Sequence, residues 1–109
     1  MLQMMLMKEP CTVQLVQYGN RRLAIEVFDD RGFPMARLSI NVHEVALDAD
    51  EFILNHDCTR LKDEVLESDL FDDTGRLVDY GMVKGQPVLR LAGDAALEWD
   101  RVHGRLGAL

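Results

Sequence analysis

In the first half of the chain, apolar residues recur at every second position, which is the spacing of one face of a β-strand. The pattern predicts strands near residues 12–18, 22–28 and 35–42, separated by short polar turns. Alternation of apolar and polar side chains is typical of an antiparallel sheet with one solvated face. The residues predicted to face the core are Leu23, Ile25, Val27, Ala36, Leu38, Ile40 and Val42. The residues predicted to face solvent are Arg37, Ser39 and Asn41.

A stripe of apolar residues with helical spacing follows these strands. It predicts a helix from about Thr59 to Leu70 that packs on the apolar face of the sheet. Asp57 or Thr59 is expected to cap its first turn, because their side-chain oxygens can accept hydrogen bonds from unpaired backbone N–H groups. The residues of this helix that are expected to be buried are Leu61, Val65, Leu66 and Leu70.

Three further strands are predicted at residues 51–54, 77–83 and 88–91. Gly85-Gln86-Pro87 is the expected connection between the last two, because Gly and Pro favour turns. Together the elements predict an α+β fold: an antiparallel sheet that starts as a meander, with one helix packed on it and a C-terminal helix. The sequence shows no repeat and no linker, so residues 1–109 are expected to form a single domain.

The C-terminal helix is expected to run from Asp94, as its cap, to about Arg105. If the sheet has no room for a second helix, the apolar stripe of this one would be buried between two copies of the chain, because contiguous exposed apolar patches usually mark contacts. A homodimer is therefore one predicted assembly. The stripe consists of Ala95, Trp99, Val102 and Leu106.

Residues 1–10 are rich in Met and lack the basic region and cleavage site of a signal peptide. We expect a frayed, disordered terminus. The alternative is a hydrophobic tail that docks on a partner or on a second copy, because Met adapts to irregular surfaces.

The net charge of the chain is −7. An acidic surface repels phosphate backbones and attracts basic proteins, so a basic protein partner is expected and direct binding of DNA or RNA is not. No apolar run approaches the roughly 18–20 residues that a membrane span needs. Cys11 and Cys58 are too few for a disulfide-dependent secreted domain, so free thiols and a cytoplasmic location are expected.

Most of the excess charge lies between residues 63 and 79, where seven acidic residues oppose Arg76 alone. One interpretation is a solvated helix face and loop. The other is a partner-binding surface that imitates the charge of DNA and occupies a basic groove on an enzyme that acts on nucleic acid. The acidic run consists of Asp63, Glu64, Glu67, Asp69, Asp72, Asp73 and Asp79.

His56, Asp57 and Cys58 form the one short cluster of residue types that bind metals. A structural zinc site needs four ligands, so Cys11 and His43 would have to join from distant positions. A Cys–His nucleophile pair needs an imidazole near the sulfur, and a helix N-terminus could lower the pKa of Cys58. No residue in the sequence supplies an orienting group or an oxyanion hole, so we expect no catalytic, metal or cofactor site.

Three segments recur in the same order in a known family. They are YGNRRLAI at residues 18–25, GFPMARLSIN at residues 32–41, and TGR at residues 74–76, followed by Gly81. On these segments the chain resembles a family of small uncharacterised proteins carried by phages and conjugative plasmids. It departs from that family at residues 53–59, which read ILNHDCT where members carry IKDYSENEG. The resemblance implies an accessory protein of a mobile element and implies no reaction.

The expected function is therefore a non-enzymatic accessory protein of a mobile element that binds a basic host or element protein through the acidic run. One form of this function is an inhibitor that imitates nucleic acid and blocks a host defence nuclease. The alternative is a structural or self-assembling, homo-oligomeric protein of a phage or plasmid. Its subunits would be held together by the Met-rich start and the helix that carries Trp99.

Overall fold

The computed structural model describes residues 2–104 of the chain. Two four-stranded antiparallel sheets and two short α-helices make up most of this part, which confirms the predicted α+β fold. The strands are β1 (Leu2–Leu6), β2 (Glu9–Gln17), β3 (Leu23–Phe28), β4 (Pro34–Arg37), β5 (Ser39–Ile40), β6 (Glu51–Leu54), β7 (Phe71–Tyr80) and β8 (Val83–Leu91). The α-helices are α1 (Lys62–Glu67) and α2 (Gly93–Trp99). The strand orders are β1-β2-β3-β4 in the first sheet and β5-β6-β8-β7 in the second.

The Met-rich start is a strand, so the expectation of a frayed terminus is wrong. Leu2, Met4 and Leu6 of β1 are buried at alternate positions and pack in the main core. A two-residue turn, Met7-Lys8, joins β1 to β2, and both residues have positive φ, of 52° and 66°. Positive φ at both turn positions is the geometry of a type I′ turn, whose twist matches that of the flanking strands.

The continuous strand predicted at residues 35–42 is divided at Leu38 between the two sheets. The backbone N–H of Leu38 donates to the carbonyl of Ile25 in β3 at 3.0 Å, and its own carbonyl accepts from the N–H of Asn55 at 2.7 Å. Leu38 is fully buried, as predicted, whereas Ile40 is half-buried. Ser39 is also buried, which corrects its predicted place on the solvated face. The chain crosses from one sheet to the other here, and the period-two pattern carries no sign of such a crossing.

The predicted helix at residues 59–70 is shorter and begins differently. A 3₁₀ turn over His56–Leu61 leads into α1, and the cap is Asn55, whose side chain accepts from the N–H of Asp57 at 3.1 Å. Asp57 and Thr59 are therefore not the cap. Leu61 and Val65 are buried as predicted, as is Leu70 beyond the helix end. Leu66, by contrast, is only partly buried.

The hairpin predicted around residues 85–87 turns four residues earlier, at Gly81-Met82. Gly85-Gln86-Pro87 lies inside β8, which is a central strand of the second sheet. Gln86 is buried there, and its side-chain amide donates to the carbonyl of Leu54 at 2.7 Å. The segment can belong to a strand because the buried Gln86 amide is satisfied by a hydrogen bond to β6.

The C-terminal helix α2 packs into the chain's own core. Ala95 and Trp99 are buried in the cluster that also draws on both sheets and α1, whereas Val102 is 56% exposed. Leu106 of the predicted stripe lies outside the described residues. The N-cap of α2 is Ala92, which makes no side-chain capping bond, so Asp94 is not the cap. The sheet has room for this helix, and the argument for a homodimer loses its premise.

Candidate functional site

The acidic run is spread over two elements on one side of the molecule. Asp63, Glu64 and Glu67 belong to α1, Asp69 follows it, and the other three belong to β7. Helix α1 contacts both β1 and β7, and Lys62 at its start reaches the carboxylate of Asp73 at 3.0 Å. Asp79 stands apart from Asp72, because it lies at the other end of β7, next to the β7–β8 turn. The run is therefore not one continuous patch.

Three of the seven acidic side chains hold local structure. Glu64 accepts from the backbone N–H of Met7 at 2.7 Å and so fixes the β1–β2 turn to α1. Asp79 accepts from the N–H of Gly85 at 2.8 Å across the β7–β8 hairpin. Asp73 accepts from the N–H of Gly75 at 2.9 Å, and this bond, together with the ammonium of Lys62, lowers the pKa of Asp73.

The remaining four acidic side chains are solvated. Asp63, Glu67, Asp69 and Asp72 are exposed and make no side-chain hydrogen bond or ion pair with any described residue. Asp63 and Glu67 stand four residues apart and so share one face of α1, where like charges repel each other. These four carboxylates are available to a partner.

A groove runs along the free edge of β1, between that strand and the segment from α1 to α2. It consists of two adjoining cavities of about 500 Å³ and about 380 Å³ that share Ser68. We call it the β1 groove. Met5 is 56% exposed there. The first cavity is lined by Met4, Met5, Lys8, Glu64, Glu67 and Ser68, and the second by Leu2, Gln3, Ser68, Asp69, Leu70, Gly93 and Asp94.

The β1 groove unites features that the sequence presented separately. Its floor comes from the Met-rich start, and the opposite wall carries Glu64, Glu67 and Asp69 from the acidic run. Asp94 joins the same wall from α2, and Lys8 is the one basic residue of the lining. No local pattern could have predicted the groove, because its walls are about sixty residues apart in the sequence.

Two of the three segments that carry the family resemblance, residues 18–25 and 32–41, make contacts with each other and with the neighbouring backbone. The Tyr18 hydroxyl lies 2.8 Å from the Ser39 hydroxyl oxygen, which also accepts from the buried N–H of Ile25 at 3.0 Å. Nearby, the Asn20 amide donates to the Asn41 side-chain oxygen at 3.1 Å. We call this set of contacts the closed seam. A further contact of the seam is from the Arg22 guanidinium to the Val42 carbonyl at 2.8 Å.

The closed seam ties the β2–β3 turn to the crossing between the sheets. Its side chains form hydrogen bonds with each other or with backbone groups, so these residues stabilise the fold here. Arg37 extends the seam, because its guanidinium lies 5.8 Å from the centre of the Tyr18 ring and pairs with Glu26. A favourable cation–π geometry of this kind is worth about 0.5–1 kcal/mol at an exposed site.

A buried carboxylate that the sequence analysis missed organises residues 48–50. Glu51 lies directly opposite Arg90 in the β6–β8 register and accepts from its guanidinium at 2.8 Å. The same carboxylate accepts from the backbone N–H of Asp48 at 2.8 Å. The arrangement fixes a loop against the second sheet. The sequence could have predicted the Glu51–Arg90 pair only if the register between β6 and β8 had been known.

His56, Asp57 and Cys58 do not converge. The ring of His56 approaches the Tyr80 hydroxyl at 3.3 Å and the Asp57 carboxylate at 3.5 Å. Cys58 points inward, and its thiol donates to the Arg37 carbonyl at 3.5 Å. Burial raises the pKa of Cys58, and the nearby Asp57 carboxylate raises it further. The lowering of this pKa that a helix N-terminus could have produced is not observed.

Among residues 2–102, whose side chains the structure describes, no group of three or more His, Cys, Asp or Glu is placed to hold a metal ion. Cys11 and Cys58 are both buried free thiols. The Cys11 thiol contacts the Met35 sulfur at 3.2 Å. None of the described helices is long and apolar enough to cross a membrane.

Comparison of the chain with protein-family models, with curated proteins and with solved structures found no match in any of the three. The resemblance to proteins of phages and conjugative plasmids therefore stays a prediction from the sequence.

Proposed function

We propose that the protein is a non-enzymatic accessory protein of a mobile element that binds a basic partner protein through its acidic surface. The observation that supports this proposal is the set of four exposed carboxylates without internal partners on and beside α1. They are Asp63, Glu67, Asp69 and Asp72. Repulsion between like charges four residues apart on a helix costs about 0.2–0.5 kcal/mol, and no described contact of these four side chains offsets it.

The chemistry of such a surface favours fast and selective encounter. Exposed charges steer an oppositely charged partner and exclude a like-charged one, and they act mainly on the association rate. The attraction is screened over about 8 Å at physiological ionic strength. A basic nucleic-acid-binding cleft is the partner surface that fits best, which is the reason to consider a host defence nuclease. The resemblance to mobile-element proteins points the same way.

The experiment compares two triple variants that change the net charge equally. Asp63→Lys, Glu67→Lys and Asp72→Lys reverse the exposed surface, whereas Asp73 is left intact because it holds Lys62 and Gly75. The control variant reverses carboxylates elsewhere that are exposed and make no side-chain contact with described residues. Its substitutions are Asp30→Lys, Glu44→Lys and Asp100→Lys.

A partner is first captured from host lysate with the wild-type protein, and its association rate is then measured over a series of salt concentrations. The surface variant should associate at least about tenfold more slowly at low salt, and its rate should lose most of its salt dependence. The control variant should behave like the wild type apart from the smaller effect of total charge. Equal rates for both variants would show that the acidic surface is only solvated.

The self-assembling alternative loses its two supports. The buried side chains of β1, including Met4 and Leu6, pack in the chain's own core, and so does Trp99. No observation on the described residues favours that function.

A further inference from the structure

The β1 groove contains unpaired backbone groups of a strand edge as well as side chains. Strand β1 lies at the edge of the first sheet, so one side of its backbone faces away from β2. An unpaired strand edge is a template for another extended chain, and proteins use such edges to bind peptides by strand addition. Which backbone groups face the groove follows from the hairpin register.

The type I′ turn at Met7-Lys8 makes Leu6 and Glu9 the closing hydrogen-bonded pair of the hairpin. Hydrogen-bonded and non-hydrogen-bonded pairs alternate along an antiparallel ladder. The pairs Met5–Pro10 and Gln3–Thr12 are therefore non-hydrogen-bonded. Pro10 agrees with this assignment because proline has no N–H to donate.

The N–H and C=O groups of Gln3 and Met5 consequently point away from β2, along the free edge that the groove follows. No described residue makes a hydrogen bond to them. Glu64 accepts from the backbone N–H of Met7 and so ties α1 to the β1–β2 turn, at one end of the groove.

Side chains decide which chain the edge can accept. The wall opposite β1 carries Glu64, Glu67, Asp69 and Asp94, against Lys8 alone. The exposed Met5 side chain adds an adaptable apolar contact. An acidic strand, including a second copy of this acidic chain, would meet mainly like charge, whereas a basic strand would meet mainly opposite charge.

We infer that the β1 groove binds an extended, basic segment of a partner protein, which adds to β1 as a fifth strand of the first sheet. The segment places alternate Lys or Arg side chains against the carboxylate wall and apolar side chains against Met4 and Met5. The inference rests on the proposed function and names its partner segment and binding mode. Backbone bonds to Gln3 and Met5 supply affinity that charge alone does not.

The probe is a short, end-capped peptide of alternating Lys and Val, compared with a copy that is N-methylated at two adjacent central residues. Adjacent residues point to opposite edges of a strand, so the copy keeps its charge and cannot pair on either edge. The wild-type protein should bind the unmodified peptide at least about tenfold more tightly. Amide exchange at Gln3 and Met5 should slow when it binds, with Lys84 in β8 as an unaffected reference.

Two protein variants separate the backbone from the side chain. Met5→Pro removes the N–H that faces the groove at an edge position that tolerates proline, and Met5→Ala keeps that N–H. Met5→Pro should weaken peptide binding about tenfold, and Met5→Ala by much less. If Met5→Pro lowers the melting temperature so far that binding cannot be measured, amide exchange on the wild type decides the question.

Other outcomes would show whether the strand-addition inference alone fails or the proposed function fails with it. If both peptides bind equally and Asp72→Lys weakens binding as much as Glu67→Lys, the acidic surface binds basic chains without strand addition, so this inference fails and the proposed function stands. If neither peptide binds at low salt, both fail. A dimer in light scattering that Met5→Pro abolishes would give the groove to a second copy and overturn the inference.

Discussion

The closed seam and the β1 groove differ in how their polar groups are used. At the closed seam, Leu38 bonds to both sheets through its backbone, and Tyr18 and Ser39 lock the crossing with side-chain hydrogen bonds. At the β1 groove, α1 contacts both β1 and β7, and carboxylates line the groove beside the unpaired edge of β1. Polar groups on the first side satisfy one another, and those on the second side are left for solvent or a partner.

This difference distinguishes two kinds of residue. Residues of the closed seam can be alike in related proteins because the fold requires them, whereas residues of the β1 groove are the ones available to bind a partner. The segments around Tyr18 and Asn41 belong to the closed seam, so their role in the described fold is to join strands. The groove lies among residues such as Met5 and Glu67, outside those segments. A likeness carried by the seam therefore supports a shared fold more strongly than a shared partner.

The largest effect is expected at the centre of the closed seam. Leu38→Ala should lower the free energy of unfolding by about 2–5 kcal/mol, because it leaves a cavity where a fully buried side chain packed. Urea unfolding measures the change. Leu97→Ala, at a position that is 63% exposed, is the control and should cost less than about 0.5 kcal/mol. Equal costs would show that the seam is not part of the core.

A smaller loss is expected from the hydroxyl that joins the seam. Ser39→Ala should cost about 1–3 kcal/mol, because the buried N–H of Ile25 loses its acceptor. Tyr18→Phe removes only the outer partner and should cost less. Urea unfolding of both variants and of the double variant gives the coupling between the hydroxyls, and additive costs would contradict a direct bond.

On the groove side, Asp73 is expected to make a modest, pH-dependent contribution. Its folded-state pKa is lowered, so the stabilisation is present above the unfolded-state pKa of roughly 3.9 and is lost as pH falls through the folded-state value. Asp73→Asn keeps an acceptor for Gly75 and removes the charge that pairs with Lys62. It should cost at most about 1 kcal/mol at neutral pH.

The measurement for Asp73 is urea unfolding of the wild type and Asp73→Asn at pH 7 and pH 3. The difference between the two proteins should shrink at the lower pH. A difference that stays constant would mean that the carboxylate charge does not contribute.

The smallest effect should be a gain. Lys8 adopts a φ of 66°, which costs a residue with a Cβ about 1–2 kcal/mol, whereas glycine adopts it freely but loses more entropy on folding. Lys8→Gly should therefore raise stability by up to about 1 kcal/mol in thermal unfolding. Lys84→Gly in β8 is the control and should destabilise. A loss at both positions would show that the β1–β2 turn is not strained.

Much of the local structure could be predicted from the sequence. The period-two pattern identified β2 and β3 and the burial of Leu23, Ile25 and Val27, because a strand face is a property of neighbouring residues. The same pattern is present in Leu2, Met4 and Leu6 of β1, although the Met-rich composition predicts a frayed terminus. Glycine and proline at residues 85–87 predict a turn, but Gln86 and Pro87 instead pair with Val78 and Leu77 of β7, a contact between distant segments that local sequence does not show.

The sequence by itself determined the fold class, the buried face of β3 and the excess of acidic charge. Only the tertiary structure decided that the chain crosses between sheets at Leu38 and that α2 packs on its own core. It also divided the acidic run into carboxylates such as Asp73 that hold the fold and others such as Glu67 that face a groove floored by Met5. The physical reason is that strand faces and net charge follow from adjacent residues, whereas a groove between β1 and α1 exists only after distant segments have packed together.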